Sequence, residues 1–204
     1  MRPIMMHFPM PIETPRMILR IPQMGYTDSY DYVEAASESL PEISPWLAWA
    51  RYVPSVDSTE EYMRDSCANW IVRTSTHVGM PLCIIDKETS KFAGIIVMHS
   101  VNWDIPRIEI GYWLRSCFVH KGMISEAVNA LTRYCFLVMG MKRVEIRCEI
   151  ANVRSRKVPE RLGFMLDARM RNNQYSVKTG RITDTLVYSR IDLNGLPELE
   201  VRWG

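Results

Sequence analysis

Apolar and polar positions alternate along several short stretches of this chain, which is the pattern of half-buried β-strands. The first stretch runs from Arg16 to Ile21, and Pro22 ends it. Further strand-like stretches lie at 80–87, 91–101, 107–114, 142–150, about 164–171 and 182–191. The pattern therefore predicts a β-sheet as the centre of the fold.

Stretches with helical spacing separate these strands. A short helix is expected from Thr27 and Asp28 through Ala36, and a second from Asp57 through Thr74, with acidic residues in its first turn. One apolar stripe then marks a helix that lies against the sheet, formed by Ile124, Ala127, Val128, Leu131, Cys135 and Val138. Asn152 begins a short polar helix. This order predicts an α/β (α+β) fold with a mixed sheet.

The strand at 107–114 leads through a turn into the helix that opens on Lys121-Gly122. A helix N-terminus in this place presents free N–H groups and the positive end of the helix dipole, which suits a phosphate group. A P-loop would need Gly-Lys-Ser/Thr, and here Met123 follows Lys121-Gly122. A dinucleotide fingerprint would need further glycines besides Gly122. The segment predicts a phosphate-bearing cofactor that neither motif binds.

Four segments in this order resemble the GNAT acyltransferases, and within them the RimJ/RimL-like branch. They are Glu13 to Arg16 leading into MILRIP, the stretch Pro45 to Trp49, Ile108 to Leu114 followed by Lys121 to Ala127, and Asn152 to Arg156 closing on Arg161 to Phe164. The resemblance implies one GNAT domain over residues 1–204, with a core at about 13–191. It also implies a mostly antiparallel sheet splayed between its fourth and fifth strands, with helices on both faces.

The resemblance implies a function as well: transfer of an acetyl group from acetyl-CoA to a primary amine, by direct attack in a ternary complex. The acceptor is a protein N-terminus or a small molecule. The cofactor contacts implied are Trp113, Leu114, Val119, His120, Lys121, Gly122, Met123, Ile124, Asn152 and Arg156. Where the family usually has Gln or Arg and then Gly, this chain has Val119 and His120. The alternative is a non-catalytic acyl-CoA-binding module of the same fold.

By the same resemblance Ser155 protonates the departing thiolate, because the tyrosine position of many other family members holds Pro159. Proline inside a helix also frees the carbonyl of residue 155. Glu109 is the candidate base, with a water chain, or a merely structural ion pair of Glu109 with Arg107 or Arg147, as alternatives. A late-loop glutamate that serves as base in RimL-like enzymes is replaced by Gln174.

Trp46, Trp49 and Tyr52 fall in the segment that covers the acceptor in the resembling family, and we expect them to contact the acceptor. The alternative is that these aromatic residues belong to the core. One basic cluster, made of Arg154, Arg156, Lys157 and Arg161, stands beside the proposed cofactor motif.

Composition excludes several other classes. The 204 residues and 47% hydrophobic content suit a soluble globular domain, and no apolar run approaches membrane-spanning length, so a cytoplasmic protein is expected. The five cysteines are widely spaced and the four histidines lack metal-ligand spacing, so neither disulfides nor a metal site are expected. A net charge of +2 is too small to predict nucleic-acid binding. We expect a monomer or a homodimer.

Overall fold

The computed structural model describes residues 5–73 and 79–204, and its centre is a nine-stranded sheet. The strands are β1 (Ile12–Glu13), β2 (Met17–Arg20), β3 (Met80–Asp86), β4 (Phe92–Asn102), β5 (Arg107–Leu114), β6 (Arg143–Glu149), β7 (Met165–Tyr175), β8 (Ile182–Arg190) and β9 (Arg202–Trp203). The helices are α1 (Thr27–Ile43), α2 (Val56–Val72), α3 (Met123–Leu137) and α4 (Val153–Arg161), and short 3₁₀ turns span Ala48–Arg51 and Ser116–Phe118.

The strand order across the sheet is β7-β8-β6-β5-β4-β3-β2-β1-β9. Every neighbouring pair is antiparallel except β5 and β6, which run parallel. The helix α3 connects these two parallel strands, as a crossover between parallel strands requires. The predicted mixed, mostly antiparallel sheet is therefore confirmed.

The sheet opens between β5 and β6. These strands pair only from Arg107 to Glu109, opposite Arg143 to Glu145. Beyond that point β6 remains paired with β8, while β5 remains paired with β4 through Leu114. The predicted splay is confirmed. The fourth and fifth predicted strands are β5 and β6 in the structure, because the two-residue strand β1 precedes the first predicted strand. Ile110–Leu114 thus has one edge that no described strand covers.

Apolar residues fill both faces of the sheet. On one face Ile96, Met98, Ile108 and Ile110 pack with the apolar stripe of α3. On the other face Ile95, Val97 and Trp113 pack with α1 and α2, through residues such as Tyr32, Ala36 and Met63. The period-two alternation of the strands produces these two layers, because successive side chains point to opposite faces. The predicted placement of helices on both faces is confirmed.

The structure differs from the sequence predictions at α1, β7 and β9. The strand β7 runs to Tyr175, past its predicted end at about residue 171. The helix α1 continues past Ala36 to Ile43, with Pro41 inside it, because Leu40 and Ile43 pack into the core beneath α1 and α2. The strand β9 pairs with β1 at the far edge of the sheet, and two-residue strands carry no readable periodicity. The predicted end of the second helix at Thr74 lies outside the described residues, and α2 is described to Val72.

Candidate active site

The first turn of α3 follows β5 and the 3₁₀ turn at Ser116–Phe118 along the chain. Gly122 is the N-cap and has φ 75°, and His120 has φ 63°. The first N–H groups of a helix have no intrahelical partner, and no side chain among the described residues caps this helix start. His120, Lys121 and Gly122 are exposed. The positive φ of His120 is a left-handed conformation that glycine adopts more easily.

Three cations surround this helix start. Arg16 donates from Nη1 to the carbonyl of Lys121 at 2.8 Å and from Nε to Glu126 Oε2 at 2.6 Å. Arg161 donates from Nη1 to Ser125 Oγ at 3.1 Å. The charge of Arg16 is balanced by its ion pair with Glu126, so Lys121 and Arg161 are the cations that add to the positive end of the helix dipole. The sequence placed Arg161 in a basic cluster beside the cofactor motif but gave Arg16 no part in the site, because the contact that brings Arg16 here spans 105 positions of the chain.

The remaining predicted cofactor residues lie on β5, on α3 and at the start of α4, and they differ in burial. Val119 and Ile124 are half-buried, while Met123 is buried in the core, so only its main chain can meet a ligand. Trp113 is buried and Leu114 half-buried on the uncovered part of β5. Asn152 caps α4 by accepting from the Ser155 N–H at 3.1 Å, which confirms its predicted capping role. Arg156 forms an ion pair with Glu160 at 3.1 Å.

Ser155 and Tyr112 form a pair of hydroxyl groups across the splay. Tyr112 donates to the Ser155 carbonyl at 3.0 Å, and Ser155 Oγ donates to the Tyr112 hydroxyl at 3.4 Å. The carbonyl of Ser155 is free because Pro159, four residues on, has no N–H to donate. Burial raises the pKa of Tyr112, so its hydroxyl stays protonated. The sequence predicted the free carbonyl of Ser155 but not Tyr112, whose hydroxyl donates a hydrogen bond to that carbonyl.

A cavity of about 530 Å³ opens on the opposite face of the sheet, beneath α1 and α2. Its walls are aromatic and apolar, and no Asp, Glu, Lys or Arg is among the described residues that line it. The lining residues are Tyr32, Leu47, Trp49, Pro54, Ser58, Thr59, Tyr62, Ile95, Val97, His99, Gly111, Tyr112 and Trp113. The cavity thus shares Tyr112 and Trp113 with the splayed strand.

The three aromatic residues predicted for the acceptor site are separated in the structure. Trp49 lines the cavity, with its ring centroid 5.7 Å from those of Tyr32 and Trp113. Trp46 does not line the cavity, and the Lys178 ammonium lies 5.6 Å from its ring. Tyr52 is 81% exposed and also outside the lining. Tyr32 and Tyr62 line the cavity instead, and the sequence had placed both only among helix positions.

Glu109 and His99 lie opposite each other on neighbouring strands. Glu109 shares its strand face with Gly111 and Trp113, but it does not line the cavity and forms an ion pair with Arg147 at 3.5 Å. Burial raises its pKa, and Arg147 opposes that shift. His99 does line the cavity, and burial lowers its pKa. Sequence reasoning missed His99, because only the β4–β5 register shows that it faces this site.

A buried carboxylate holds α1 and α2 together above the cavity. Glu60 on α2 accepts from the N–H groups of Gly25 and Tyr26 and from Ser29 Oγ, at 2.9–3.0 Å. Arg64 completes the set with an ion pair at 2.9 Å. These partners, with the Gly25 N–H as the largest contribution, lower the pKa of Glu60 to about 2. The position of α1 over the cavity therefore depends on a charged side chain of α2.

The described residues contain no cluster of His, Cys, Asp or Glu that could hold a metal ion. No helix described here is long and apolar enough to cross a membrane. Residues 16–165 match the model of the acetyltransferase (GNAT) domain, and this range includes the α3 helix start, the splay and Ser155.

The chain belongs to the GNAT acetyltransferase family.

Similar proteins agree with this assignment. YdaF of Bacillus subtilis (strain 168), which is named as an N-acetyltransferase, is 27% identical over 162 residues, or 79% of this chain and 85% of YdaF. The ribosomal-protein-serine acetyltransferase of Escherichia coli (strain K12) is 25% identical over 145 residues, or 71% of this chain and 76% of that protein. This GNAT protein is thus an N-acetyltransferase with RimJ/RimL-like relatives.

Solved structures show the same fold. The microcin C7 self-immunity acetyltransferase MccE, in complex with acetyl-CoA and AMP, matches with a TM-score of 0.77 and 21% identity, covering 87% of this chain and 93% of MccE. RimL, a ribosomal L7/L12 α-N-protein acetyltransferase in complex with coenzyme A, matches with a TM-score of 0.76 and 20% identity, covering 88% and 96%. At these identities the likeness establishes the GNAT fold of the chain.

Proposed function

We propose that this protein transfers the acetyl group of acetyl-CoA to a primary amine, by direct attack in a ternary complex. The observation that carries the proposal is the splay between β5 and β6. It lies beside the uncapped start of α3 and adjoins, through Tyr112 and Trp113, an aromatic cavity on the other face of the sheet. One chain thus offers a place for a phosphate-bearing thioester and a separate place for an acceptor.

The residues around the splay fit acetyl-CoA. The α3 helix start, with Arg16, Lys121 and Arg161 around it, would hold the pyrophosphate. The uncovered edge of β5 offers backbone groups to a pantetheine arm, and an N–H near Leu114 would meet the acetyl oxygen. We place Val119, His120 and Ile124 along one side of this path, and Asn152 and Arg156, at the start of α4, along the other. Bound there, acetyl-CoA would supply the activated acetyl group.

The reaction needs proton transfers that side chains near the splay can perform. The amine nitrogen forms a bond to the acetyl carbon, and the carbon–sulfur bond breaks. We assign Ser155 as the group that protonates the departing thiolate, paired with the Tyr112 hydroxyl at 3.4 Å. We assign Glu109, whose pKa burial raises above its usual value, as the carboxylate that promotes loss of protons by the acceptor amine.

The cavity favours an acceptor amine attached to an uncharged, apolar or flat group. The described residues that line it offer rings and hydroxyl groups, with no carboxylate to bind a polycation. Trp49 forms part of this wall, and we place Trp46 and Tyr52 at its outer rim, where a longer acceptor would continue. A relative that is named as a ribosomal-protein-serine acetyltransferase supports a protein as the acceptor, and we take its N-terminal amine as the acetylated group.

Thiol release from acetyl-CoA tests this function. A panel of peptides with different N-terminal residues and of small aromatic amines is incubated with protein and acetyl-CoA, and the acetylated product is confirmed by mass spectrometry. We expect amine-dependent thiol release with at least one uncharged N-terminal residue. Binding of coenzyme A without thiol release from any amine would instead identify a non-catalytic acyl-CoA-binding module.

A further inference from the structure

His99 is a titratable group in the acceptor cavity to which the mechanism above gives no task. It lies on β4 two residues beyond Val97, and its side chain reaches the cavity that Gly111, Tyr112 and Trp113 also line. Glu109, the carboxylate assigned above, does not line that cavity. A proton released by an amine in the cavity therefore meets His99 before it meets Glu109.

Two glycines leave the space that the His99 ring occupies. A Cβ on Gly111 would lie 3.0 Å from His99 Nε2, and a Cβ on Gly79 would lie 3.0 Å from Nδ1. Both distances are shorter than ordinary carbon–nitrogen contacts, so a side chain at either position would displace the ring. Gly111 has an ordinary strand conformation, so its backbone does not require glycine. What the missing side chain of Gly111 provides is room for the His99 ring.

The His99 ring is available to accept a proton. No described residue forms a hydrogen bond with either ring nitrogen. Burial disfavours the charged imidazolium and lowers the pKa, so the ring is neutral at neutral pH and one nitrogen carries a free lone pair. A neutral imidazole beside an amine site meets the requirement for a general base.

The charged and titratable groups around His99 favour that role. From β5, Glu109 is the register partner of His99 and, at the spacing of opposed strand residues, its Cβ is about 4.5–5.5 Å away. From β6, Arg147 pairs with Glu109 at 3.5 Å and with Glu145 at 2.8 Å. From α1 and α2, the hydroxyl groups of Tyr32 and Tyr62 line the same cavity, and burial raises both of their pKa values. Glu109 is thus the nearest anion that would stabilise an imidazolium.

We propose that His99 accepts the proton of the acceptor's ammonium group, and that Glu109 stabilises the resulting imidazolium from across the strand pair. This inference rests on the acetyl transfer proposed above. Loss of the first proton to His99 frees the nitrogen lone pair, which forms the bond to the acetyl carbon. The nitrogen then loses a second proton as the carbon–sulfur bond breaks. One proton returns to the thiolate through Ser155, and the other leaves to solvent.

The test compares wild type, His99→Gln and the control His7→Gln, which changes an exposed histidine outside the cavity. The substrate is the amine from the screen that gives the fastest turnover. We expect His99→Gln to lower kcat/KM for the amine about 10²-fold near pH 7, with the KM for acetyl-CoA unchanged. His7→Gln should match the wild type.

The pH profile separates a base from a structural role. Wild-type kcat/KM should level off above the pKa of His99, because the neutral ring then takes the proton. The His99→Gln profile should keep rising with slope one up to the pKa of the amine, so the deficit shrinks by about pH 9.5. A deficit that is equal at both pH values, or no deficit near pH 7, overturns the role of His99.

A second variant covers the case in which glutamine disturbs the packing. His99→Ala leaves room for added imidazole, which should restore part of the lost turnover in proportion to its neutral form. No restoration in a folded variant counts against the proposal. Absence of transfer by the wild type itself contradicts the proposed function and this inference together, whereas an active wild type with an equally active His99→Gln overturns only this inference.

Discussion

The donor side and the acceptor side of the splay are built in different ways. On the donor side, main-chain groups dominate: an uncapped helix start, an uncovered strand edge and a capped turn at Asn152, all within one segment from β5 to α4. On the acceptor side, side chains from α1, the loop before α2, α2, β4 and β5 form one aromatic wall. A local motif can specify the first site, but only the complete fold assembles the second.

The pair of hydroxyl groups that joins the two sides, on Ser155 and Tyr112, is the site of the largest expected effect. We expect Ser155→Ala to lower kcat by about 10²-fold, because the departing thiolate loses its proton donor, with acetyl-CoA binding nearly unchanged. Tyr112→Phe is the matched variant, since it removes the other hydroxyl and keeps the ring. If the two act as a unit, the double variant is little slower than Ser155→Ala. Full turnover by Ser155→Ala in a well-folded protein would refute the assignment.

The main-chain site on the donor side is tested at Gly122. Valine there must adopt φ 75°, and the strain displaces the first N–H groups of α3, so we expect Gly122→Val to weaken coenzyme A binding at least about tenfold. The steric environment is not the cause, because a Cβ at Gly122 would lie 3.7 Å from its nearest contact, Arg16. Calorimetry measures the affinity.

His120→Gly is the matched variant for that experiment. It removes a side chain from φ 63°, so we expect unchanged or tighter binding and a stability gain of about 1 kcal/mol. Equal affinity of Gly122→Val and the wild type would show that the phosphate is bound elsewhere.

The side-chain wall is tested at Trp49. Trp49→Ala removes ring contacts with Tyr32 and Trp113, so we expect the KM for the amine to rise about tenfold while the KM for acetyl-CoA stays the same. Tyr175→Ala, at an exposed aromatic residue on β7, is the control. Equal increases of both KM values in Trp49→Ala would show that the two sides are not separate.

The smallest expected effect concerns Glu60, which joins α2 to the start of α1. The folded-state pKa of Glu60 lies at about 2, below its usual value of 4.5, so its stabilisation is present above about pH 4.5 and is lost as the pH falls towards 2. We expect Glu60→Gln to lower the Tm by about 2–4 °C at neutral pH and by much less near pH 2. Glu61→Gln, its exposed neighbour, is the control. A pH-independent loss of Tm would contradict the stated cause.

The same contrast explains how much of the molecule the sequence could predict. The strands β2 and β6 follow from period-two alternation, β3 and β4 from apolar runs on either side of a polar turn, and the splay and the helix start at Gly122 from family motifs. The strands β1 and β9 have two residues each and carry no periodic signal. The extension of α1 to Ile43 depends on packing that overrides the helix-breaking tendency of Pro41.

Within the site, the limit of prediction follows the distance between partners along the chain. Asn152 and Ser155 are three residues apart, and the capping bond could be expected from that spacing. Tyr112 lies 43 positions from Ser155, and His99 depends on the β4–β5 register. Among the loop aromatics, Trp49 lines the cavity, whereas Trp46 and Tyr52 do not. No periodicity sets the direction of a loop side chain, so the sequence could not separate the three.

Binding of acetyl-CoA at the splay and the α3 helix start is tested by thermal melting of the wild type with and without acetyl-CoA. A ligand that binds only the folded state stabilises that state by mass action. We expect the Tm to rise steadily with acetyl-CoA concentration up to about the millimolar range. An unchanged Tm at millimolar acetyl-CoA, in a protein that circular dichroism shows to be folded, would contradict the claim.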